Sequence, residues 1–566
     1  MKNLLKRAMV VLLACLFVIP MTACGKKNKD PYYEPIDPDR TQLFVFNYAG
    51  GYGSDWLREV KKRFEIKHAN FELNGKTGVQ VYINPQKTKA SGVAPNVLGG
   101  RDEVYFVEYA YYYELKSQGI FADITDAVTT TLEGETATIE SKMTKEQREF
   151  FGVEENGETH YYGIPHYAGY HGLVYNVELF DSKGYYLIAN PEINEDAPEE
   201  TPIENFFVYA PGDVKSAGPN GQPGDYDDGL PATYDEFFLL CEYIAQANQI
   251  PVLWNGDAAD EYLDGLCAAL ATDYEGLKQM SLNYTLNGEA TSLGRIENNE
   301  FVKDEQATQI NASNGYELAR QAGKYYALQF AEKLINYLDG RCHNSNAFNT
   351  AYSHMDAQDD FLYAGHDGET VETAMLLEGI WWQSEATQTF SDMELDIGSE
   401  FAKKQRKFAF MPLPHATENE VGNKITLYDH IYSLCFMKGD IAPEKRDLAI
   451  DFIKFCNTDK SLIEFTQITD TPKALNYTMT NTQKEQMSPF GRSVVEMKER
   501  ADIVYPISTN SLYLNNQSNF AKTFMTKVNG TEIQYCGKKF FDDKLPMKDY
   551  FEGLYNYRYG NWSTLN

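Results

Sequence analysis

The sequence has few basic residues for its length. Its 566 residues include 51 lysines and arginines against 82 aspartates and glutamates, which gives a formal net charge of −31. Proteins bind nucleic acids and other polyanions largely through Lys and Arg side chains, so these are poor partners for such a chain. We therefore expect no nucleic-acid function.

The sequence also lacks a run of apolar residues long enough to span a membrane. The apolar stretch from Ala8 to Ile19 follows Lys2, Lys6 and Arg7 and ends at Pro20. A transmembrane helix needs about 20 apolar residues, whereas basic residues, a short apolar run and small residues in that order are typical of a secretory signal. We interpret residues 1–23 as a signal peptide and expect the rest of the chain to lie outside the cytoplasm.

Familiar catalytic signatures are missing as well. The sequence contains no G-x-S-x-G elbow, no H-E-x-x-H pair and no phosphate-binding Walker loop. Gly51-Tyr52-Gly53 begins like a dinucleotide fingerprint, but Trp56 stands where the third glycine is required. We expect no cofactor.

Two groups of metal-ligand residue types are set aside. Asp225, Asp227 and Glu236 resemble part of a calcium loop, but the sixth position is Leu230 where a glycine is needed. A second group lacks metal-ligand spacing and consists of Cys342, His343, His354, Asp356 and His366. The sequence predicts no metal site.

Cys24 has a different context from the other cysteines. Met21-Thr22-Ala23-Cys24 resembles the lipobox of bacterial lipoproteins, with Met21 in place of the usual Leu. Cleavage before Cys24 and acylation of it would supply the two lipid signals that stable anchoring needs, and residues 24–42 would be a tether. The alternative is an ordinary secretory signal with an incidental cysteine.

Six cysteines remain in the body of the chain. They are widely spaced and can pair in 15 ways, and nothing in the spacing selects one pairing. Most lie in apolar helical or strand-like contexts, where a buried thiol is the commoner explanation. They are Cys241, Cys267, Cys342, Cys435, Cys456 and Cys536.

Short apolar runs alternate with helical patterns along the chain. Leu43–Asn47 reads as a strand, and a helix capped by Ser54 follows it. Val79–Ile83 and Val104–Val107 read as further strands, which gives the β-α-β order of a parallel sheet covered by helices. The fold class is therefore α/β, with two domains expected at this length. Residues 185–230 and 285–315 are rich in turn-forming residues and are predicted to be loop-rich insertions.

Several segments, taken in order, resemble the carbohydrate-type (family one) extracellular solute-binding proteins of bacterial ABC importers, in their lipoprotein form. The most specific is Tyr162-Gly-Ile-Pro165 followed by Leu173-Val-Tyr-Asn176, which looks like the first hinge crossing of that family. Ala374–Trp382 looks like the element that presents a binding tryptophan. The other matching segments are Phe44–Phe64, Asp102–Thr125, Pro231–Glu236, Phe410–Pro414 and Ala449–Phe455.

The resemblance implies a two-lobed periplasmic-binding-protein-like fold with hinge strands and a central ligand cleft. Residues 43–165 and 433–505 would form lobe one, and residues 166–432 and 506–566 lobe two. The protein would be a monomeric receptor, not an enzyme. It would capture a sugar or oligosaccharide for the membrane permease of an ABC importer, and the Cys24 lipid would hold it at the extracellular face of the cell membrane.

Candidate ligand-binding residues come from two arguments. Ligands of open α/β sheets bind beyond the carboxyl ends of parallel strands, which nominates Tyr48, Glu108 and Tyr109. A sugar-binding site needs aromatic rings that stack on the sugar, together with carboxylates and amides that bind its hydroxyls. The resemblance places Trp381 as the stacking ring. The hinge crossings and the late segment nominate His166, Tyr167, Tyr428, Asp429, Tyr505, Asn510 and Tyr513. Trp254 is nominated because it follows the short strand-like run Pro251-Val-Leu.

Two alternatives remain at this stage. A secreted glycoside hydrolase or other polysaccharide-acting surface enzyme also uses an aromatic cleft with two carboxylates, and carboxylates are abundant here. A solute-binding fold can also serve a sensor instead of a permease.

Overall fold

Two sheets organise the chain into two lobes. The computed structural model describes residues 34–87, 92–108, 111–208, 212–429, 433–521, 523–528 and 534–565. Cys24 and Tyr109 lie outside the described residues. The α/β class and the two-lobed architecture are confirmed, since helices cover each sheet and the chain passes between the sheets through hinge segments.

The first sheet has five strands. The predicted strands at its centre form, and their Val-rich sequences are buried, as expected for a sheet covered on both faces. Thr41–Tyr48 runs parallel to both of its neighbours, while Leu434–Met437 is antiparallel to both of its own. In spatial order the strands are Val79–Gln86, Thr41–Tyr48, Val104–Val107, Leu434–Met437 and Ile164–Pro165.

The second sheet has four strands. Ile250–Leu253 runs parallel to Thr373–Gly379, and His171–Asn176 is antiparallel to both of its neighbours. All seven residues of Thr373–Gly379 are buried, because this strand lies inside the sheet. In spatial order the strands are Ile250–Leu253, Thr373–Gly379, His171–Asn176 and Phe408–Met411.

Helices fill the rest of both lobes. The longest, Ala259–Thr285, is kinked at Gly276, whose φ is 66°. The other helices of ten residues or more are Asp55–Lys67, Tyr234–Gln246, Ala322–Asn336, His354–Tyr363, Thr387–Asp396, Pro443–Cys456, Asp459–Thr469, Pro489–Arg500 and Met547–Asn561. The shorter ones are Val93–Gly99, Tyr112–Lys116, Thr125–Thr129, Ile139–Lys142, Lys145–Phe151, Val177–Lys183, Trp382–Glu385, Asn481–Lys484, Ser511–Leu514, Gln517–Phe520 and Cys536–Phe541. Within the described ranges, none is long and apolar enough to cross a bilayer.

Within the described residues, the chain passes between the sheets three times. The first two passages lie between Pro165 and His171 and between Met411 and Leu434, near the predicted hinges. The third follows helix Asp459–Thr469, since Pro489–Arg500 packs on strand Phe408–Met411 of the second sheet. The predicted division kept residues 433–505 together in lobe one. The structure differs because the apolar side of Pro489–Arg500 faces the second lobe, with the Phe490 ring 5.5 Å from that of Trp382.

The two loop-rich stretches differ from each other. Within the described part of residues 185–230, regular structure is limited to two short 3-10 turns, Pro198–Glu200 and Ile203–Phe206. Residues 285–315 instead contain two antiparallel strand pairs, Gly288–Ala290 with Thr308–Ile310 and Gly294–Glu297 with Glu300–Lys303. Asn298 and Asn299 both adopt positive φ, which allows the two-residue turn between the inner strands. Three further two-stranded ladders join Glu72–Leu73 to Lys76–Thr77, Gly152–Glu155 to Glu158–Tyr161, and Thr426–Tyr428 to Asp502–Val504.

The six cysteines of the body are buried free thiols in this structure. Cys241 hydrogen-bonds to Cys342, and Cys536 to Cys267, and burial contributes to raising the pKa of both Cys241 and Cys536. Burial also raises the pKa of Cys456 to about 12. The thiols of Cys241, Cys456 and Cys536 are therefore protonated, which suits the packing role expected from their apolar contexts.

The core of the second lobe depends on Trp382. Its side chain is fully buried among the rings of Phe361, Phe390, Phe408 and Phe490, with centroids 5.3 to 5.9 Å away. We expect Trp382→Ala to lower the free energy of unfolding by about 3–5 kcal/mol, because it leaves a large cavity. Leu395→Ala is the control, since Leu395 is 82% exposed, and should change it by less than about 0.5 kcal/mol. Urea denaturation of both variants measures this; equal effects would contradict the packing role.

Candidate functional site

The candidate site begins at the turn after strand Thr41–Tyr48. The Asn47 side-chain amide donates to the Tyr48 carbonyl at 2.9 Å, the Gly53 carbonyl at 3.0 Å and the Ser54 hydroxyl at 2.8 Å, which fixes the turn. Gly51 has a φ of 55°, a conformation that glycine adopts readily. Its backbone N–H points across to the other lobe.

That N–H makes a direct bond between the lobes. Gly51 N donates to Glu385 Oε1 of the second lobe at 3.0 Å. A Cβ atom at Gly51 would lie 3.5 Å from Cβ of Trp381 and 3.6 Å from Oε1 of Glu108. The turn of lobe one, the carboxylate of the next strand and the tryptophan of lobe two therefore meet at one point. The two lobes are closed on each other here.

Glu108 follows strand Val104–Val107 and is almost completely buried. The hydroxyl of Tyr167, from the first hinge passage, donates to its carboxylate, and so does that of Tyr48. Burial, followed by the negative charge of Glu385, raises the pKa of Glu108 well above its ordinary value. Tyr48, Glu108 and Tyr167, all predicted from the sequence, thus lie together.

The second lobe supplies Trp381 and two carboxylates. Gly379 leaves room for the Trp381 ring, since a Cβ there would lie 2.1 Å from it, and the ring packs edge-on against His171 at 4.8 Å. Trp381 is 7% exposed in this closed form. Glu385 lies four residues further on, one helical turn along.

Gln358 links the two carboxylates of the second lobe. Its side-chain amide donates to Glu385 Oε2 at 3.1 Å and to Glu378 Oε2 at 3.3 Å. The Gly379 N–H donates to the other oxygen of Glu378 at 2.9 Å. Burial, and then the charge of Glu385, raises the pKa of Glu378 to about 8. We call Glu108, Glu378 and Glu385 the cleft carboxylates; each is held by neutral hydrogen-bond donors.

His166 lies behind this cluster. Its Nδ1 is 2.6 Å from Nζ of Lys473, and its ring packs on those of Trp56 and Phe106. Burial lowers the pKa of His166 and also brings that of Lys473 to about 7. The structure thus places His166 in the core of lobe one near the hinge, and not beside Trp381.

Asp429 belongs to the hinge. It accepts a hydrogen bond from Gly169 N at 3.2 Å, and Ser433 bridges both backbone groups of Tyr167. Asp429 therefore ties the second passage to the first. The Tyr428 hydroxyl, next to it, bonds that of Tyr284 at 2.9 Å inside the second lobe.

The remaining predicted residues lie elsewhere. Trp254 is fully buried, donates from Nε1 to the Ala347 carbonyl at 2.9 Å and packs on His343. Asn510 caps helix Ser511–Leu514 and donates to the Thr285 carbonyl at 3.1 Å. Tyr513 is buried against Tyr284 and Phe520. These three side chains have structural contacts in the core or at a helix end.

Tyr505 lines a separate cavity. This cavity has a volume of about 790 Å³ and lies beside the hinge, with residues of both lobes in its wall. Its polar and aromatic wall includes Glu146, Lys278, Tyr477, Lys498 and Tyr505. The region where the lobes meet contributes no residue to this wall, so the two regions are distinct. That region consists of Gly51, Glu108, Glu378, Trp381 and Glu385.

Sequence reasoning missed Glu378, Glu385 and Gln358. Glu385 had a usable signal, because it lies one helical turn after Trp381. Glu378 is hidden in an otherwise apolar buried strand, and Gln358 reaches the cluster from a helix distant in sequence.

Comparison with known proteins bears on the fold. No family model matches the sequence, and no curated protein sequence matches it significantly. Among solved structures, a chitin oligosaccharide binding protein has a TM-score of 0.53 at 12% identity, with 93% of this chain and 100% of the other covered. The maltose-bound MalE3 of T. maritima gives 0.53 at 13% identity over the same shares. The bacterial solute receptor AcbH gives 0.50 at 10% identity, with 92% of this chain and all of the other covered.

These likenesses define the class of fold. The chain has the two-lobed solute-binding-protein fold over nearly its whole described length, and the solved structures that share it are sugar and oligosaccharide receptors by their names. At such low identity the likeness establishes the fold, and the ligand has to be argued from the site.

The cleft carboxylates make stability depend on pH. The folded chain holds a proton on Glu378 up to about pH 8, whereas an ordinary glutamate releases it near 4.5. The folded state therefore binds more protons in this window, and stability falls as pH rises through it. We expect Glu378→Gln to raise the melting temperature relative to the unsubstituted protein by more at pH 8 than at pH 5. Glu394→Gln, at an exposed position, is the control. A difference independent of pH would refute this.

Proposed function

We propose that the protein is an extracellular receptor that captures a sugar or oligosaccharide for an ABC importer by hinge closure. The observation that carries the proposal is the meeting of both lobes around Gly51, Glu108, Trp381 and Glu385. A ligand closes such a protein only if it binds the closed form better than the open form, and it does so by contacting both lobes.

The chemistry of this cluster suits a carbohydrate. Trp381 and Tyr48 offer flat aromatic surfaces for the C–H faces of a sugar ring. Carboxylate oxygens of Glu108, Glu378 and Glu385 offer acceptors for its hydroxyls. In this structure these groups are satisfied by Tyr hydroxyls, Gly51 N and Gln358. Sugar hydroxyls would take the place of those donors.

Variants of the two interlobe regions test whether Trp381 binds the ligand. A thermal-shift screen of neutral oligosaccharides identifies a ligand, because a ligand that binds only the folded state raises its melting temperature. Trp381→Ala should then weaken binding by about 2 kcal/mol, roughly 30-fold in Kd, as measured by calorimetry.

Tyr505→Ala is the matched comparison, because Tyr505 lies in the separate cavity. It should leave Kd within about twofold, since it removes no contact to the ligand. Loss of affinity in Tyr505→Ala and not in Trp381→Ala would move the ligand to that cavity. Release of new reducing ends from the oligosaccharide would refute a receptor and favour a hydrolase.

The membrane anchor is a further part of the proposal. Acylation at Cys24 would keep the receptor beside its permease, with residues 24–42 as the tether. We expect Cys24→Ala to abolish incorporation of labelled palmitate in cells and to release the protein into the medium. Cys15→Ala is the control, since Cys15 lies within the signal peptide and is removed with it. Labelling that persists in Cys24→Ala would contradict the anchor.

A further inference from the structure

Three aspartates come together on the segment before helix Tyr234–Gln246 of the second lobe. Asp225, Asp227 and Asp228 each place a carboxylate oxygen within 4.8 Å of those of the other two. The sequence pattern of Asp225, Asp227 and Glu236 did not predict this group. Glu236 accepts a hydrogen bond from Ala232 N at 2.6 Å at the start of the helix, and Asp228 takes the third position instead.

Asp227 is the unusual member of the group. Its side chain is 0% exposed, and its Oδ2 accepts a hydrogen bond from Asn220 N at 3.0 Å. Its other oxygen, Oδ1, is buried without a hydrogen-bond partner. A buried carboxylate oxygen with no partner is destabilising by a few kcal/mol unless a positive charge or a donor satisfies it.

Two side-chain cations that interact electrostatically with the aspartates lie against aromatic rings. The Arg500 guanidinium lies 4.2 Å from the centre of the Tyr226 ring, and the Lys215 ammonium lies 3.1 Å from that of Tyr186. Burial lowers the pKa of Lys215, and the charge of Asp228 acts in the opposite direction. Neither contact gives Asp227 Oδ1 a partner.

The backbone around the aspartates is closely fitted. Gly218 has a φ of 61°, and a Cβ atom there would lie 2.2 Å from the Asp227 carbonyl. Gly224 N donates to both oxygens of Asp228, at 2.8 and 3.1 Å. The Pro219 carbonyl accepts from Gly422 N at 2.9 Å, which joins the segment to the turn before strand Thr426–Tyr428. The carboxylates are thus held in place by backbone contacts.

We propose that Asp225, Asp227 and Asp228 bind a calcium ion. All the side-chain ligands in the group are carboxylate oxygens, which favour hard cations, and calcium accepts irregular oxygen sets completed by carbonyls and water more readily than magnesium does. The ion supplies the partner that Asp227 Oδ1 lacks. It also fixes the end of the long segment at residues 185–230 where that segment enters the helix at Tyr234.

The test uses the full secreted chain freed of metal with a chelator. Calcium at about 1–10 mM, which exceeds the Kd of about 0.1–1 mM of extracellular calcium modules, should raise the melting temperature by several degrees, and magnesium by much less. Asp227→Asn should abolish the calcium shift. Asp235→Asn should keep it, since the Asp235 side chain is 97% exposed and lies outside the group.

Terbium luminescence locates the site. Tyr226 lies between two of the proposed ligands and should sensitise bound terbium, with calcium competing. Tyr226→Phe should lower the luminescence while keeping the calcium shift, and Asp227→Asn should lose both. If Asp227→Asn does not fold, Asp228→Asn replaces it. No calcium shift in the unsubstituted chain, or an equal shift in the Asp227 and Asp235 variants, would overturn the proposal.

Discussion

The hydrogen bond from Gly51 N to Glu385 joins the two lobes at the point where their candidate ligand-binding side chains meet. It requires a backbone N–H that is free at the end of a strand, and the left-handed Gly51 in the turn held by Asn47 provides one. It also requires a carboxylate one helical turn after Trp381. In the closed arrangement Glu108 lies near Glu378 and Glu385, so carboxyl groups are brought together in a site shielded from water. Neutral donors, protons or a ligand rich in hydroxyls must offset that charge.

Much of the fold was predictable because its local signals are strong. The β-α-β start, the helices at Tyr234 and Pro443 and both main hinge passages follow from buried Val-rich strands, N-terminal capping and the order of segments. The third passage was not predictable, because helix Pro489–Arg500 is amphipathic whichever lobe it covers. Its place is fixed by Phe490 meeting Trp382, a contact between residues far apart in sequence.

The candidate site residues also divide into those whose positions have a local cause in the sequence and those whose positions do not. Tyr48, Glu108, Tyr167 and Trp381 follow strand ends, a hinge or a glycine that makes room for a ring, so their positions have a local cause. Trp254 was nominated by its place after a short strand, and Asn510 and Tyr513 by the resemblance of a late segment. Neither argument distinguishes a cleft side chain from a core one. The aspartate group was underestimated because its third member, Asp228, does not fit the spacing of a calcium loop, whereas a folded segment can gather carboxylates at irregular intervals.

The position of strand Leu434–Met437 has a consequence for how the chain is made. It lies between Val104–Val107 and Ile164–Pro165, inside the first sheet and not at its edge. The first sheet is therefore incomplete until residue 437 has been synthesised, although its other strands all lie before residue 166. The first sheet therefore cannot complete its strand pairing while most of the second lobe is being synthesised, and some of its strand edges stay unpaired during that time.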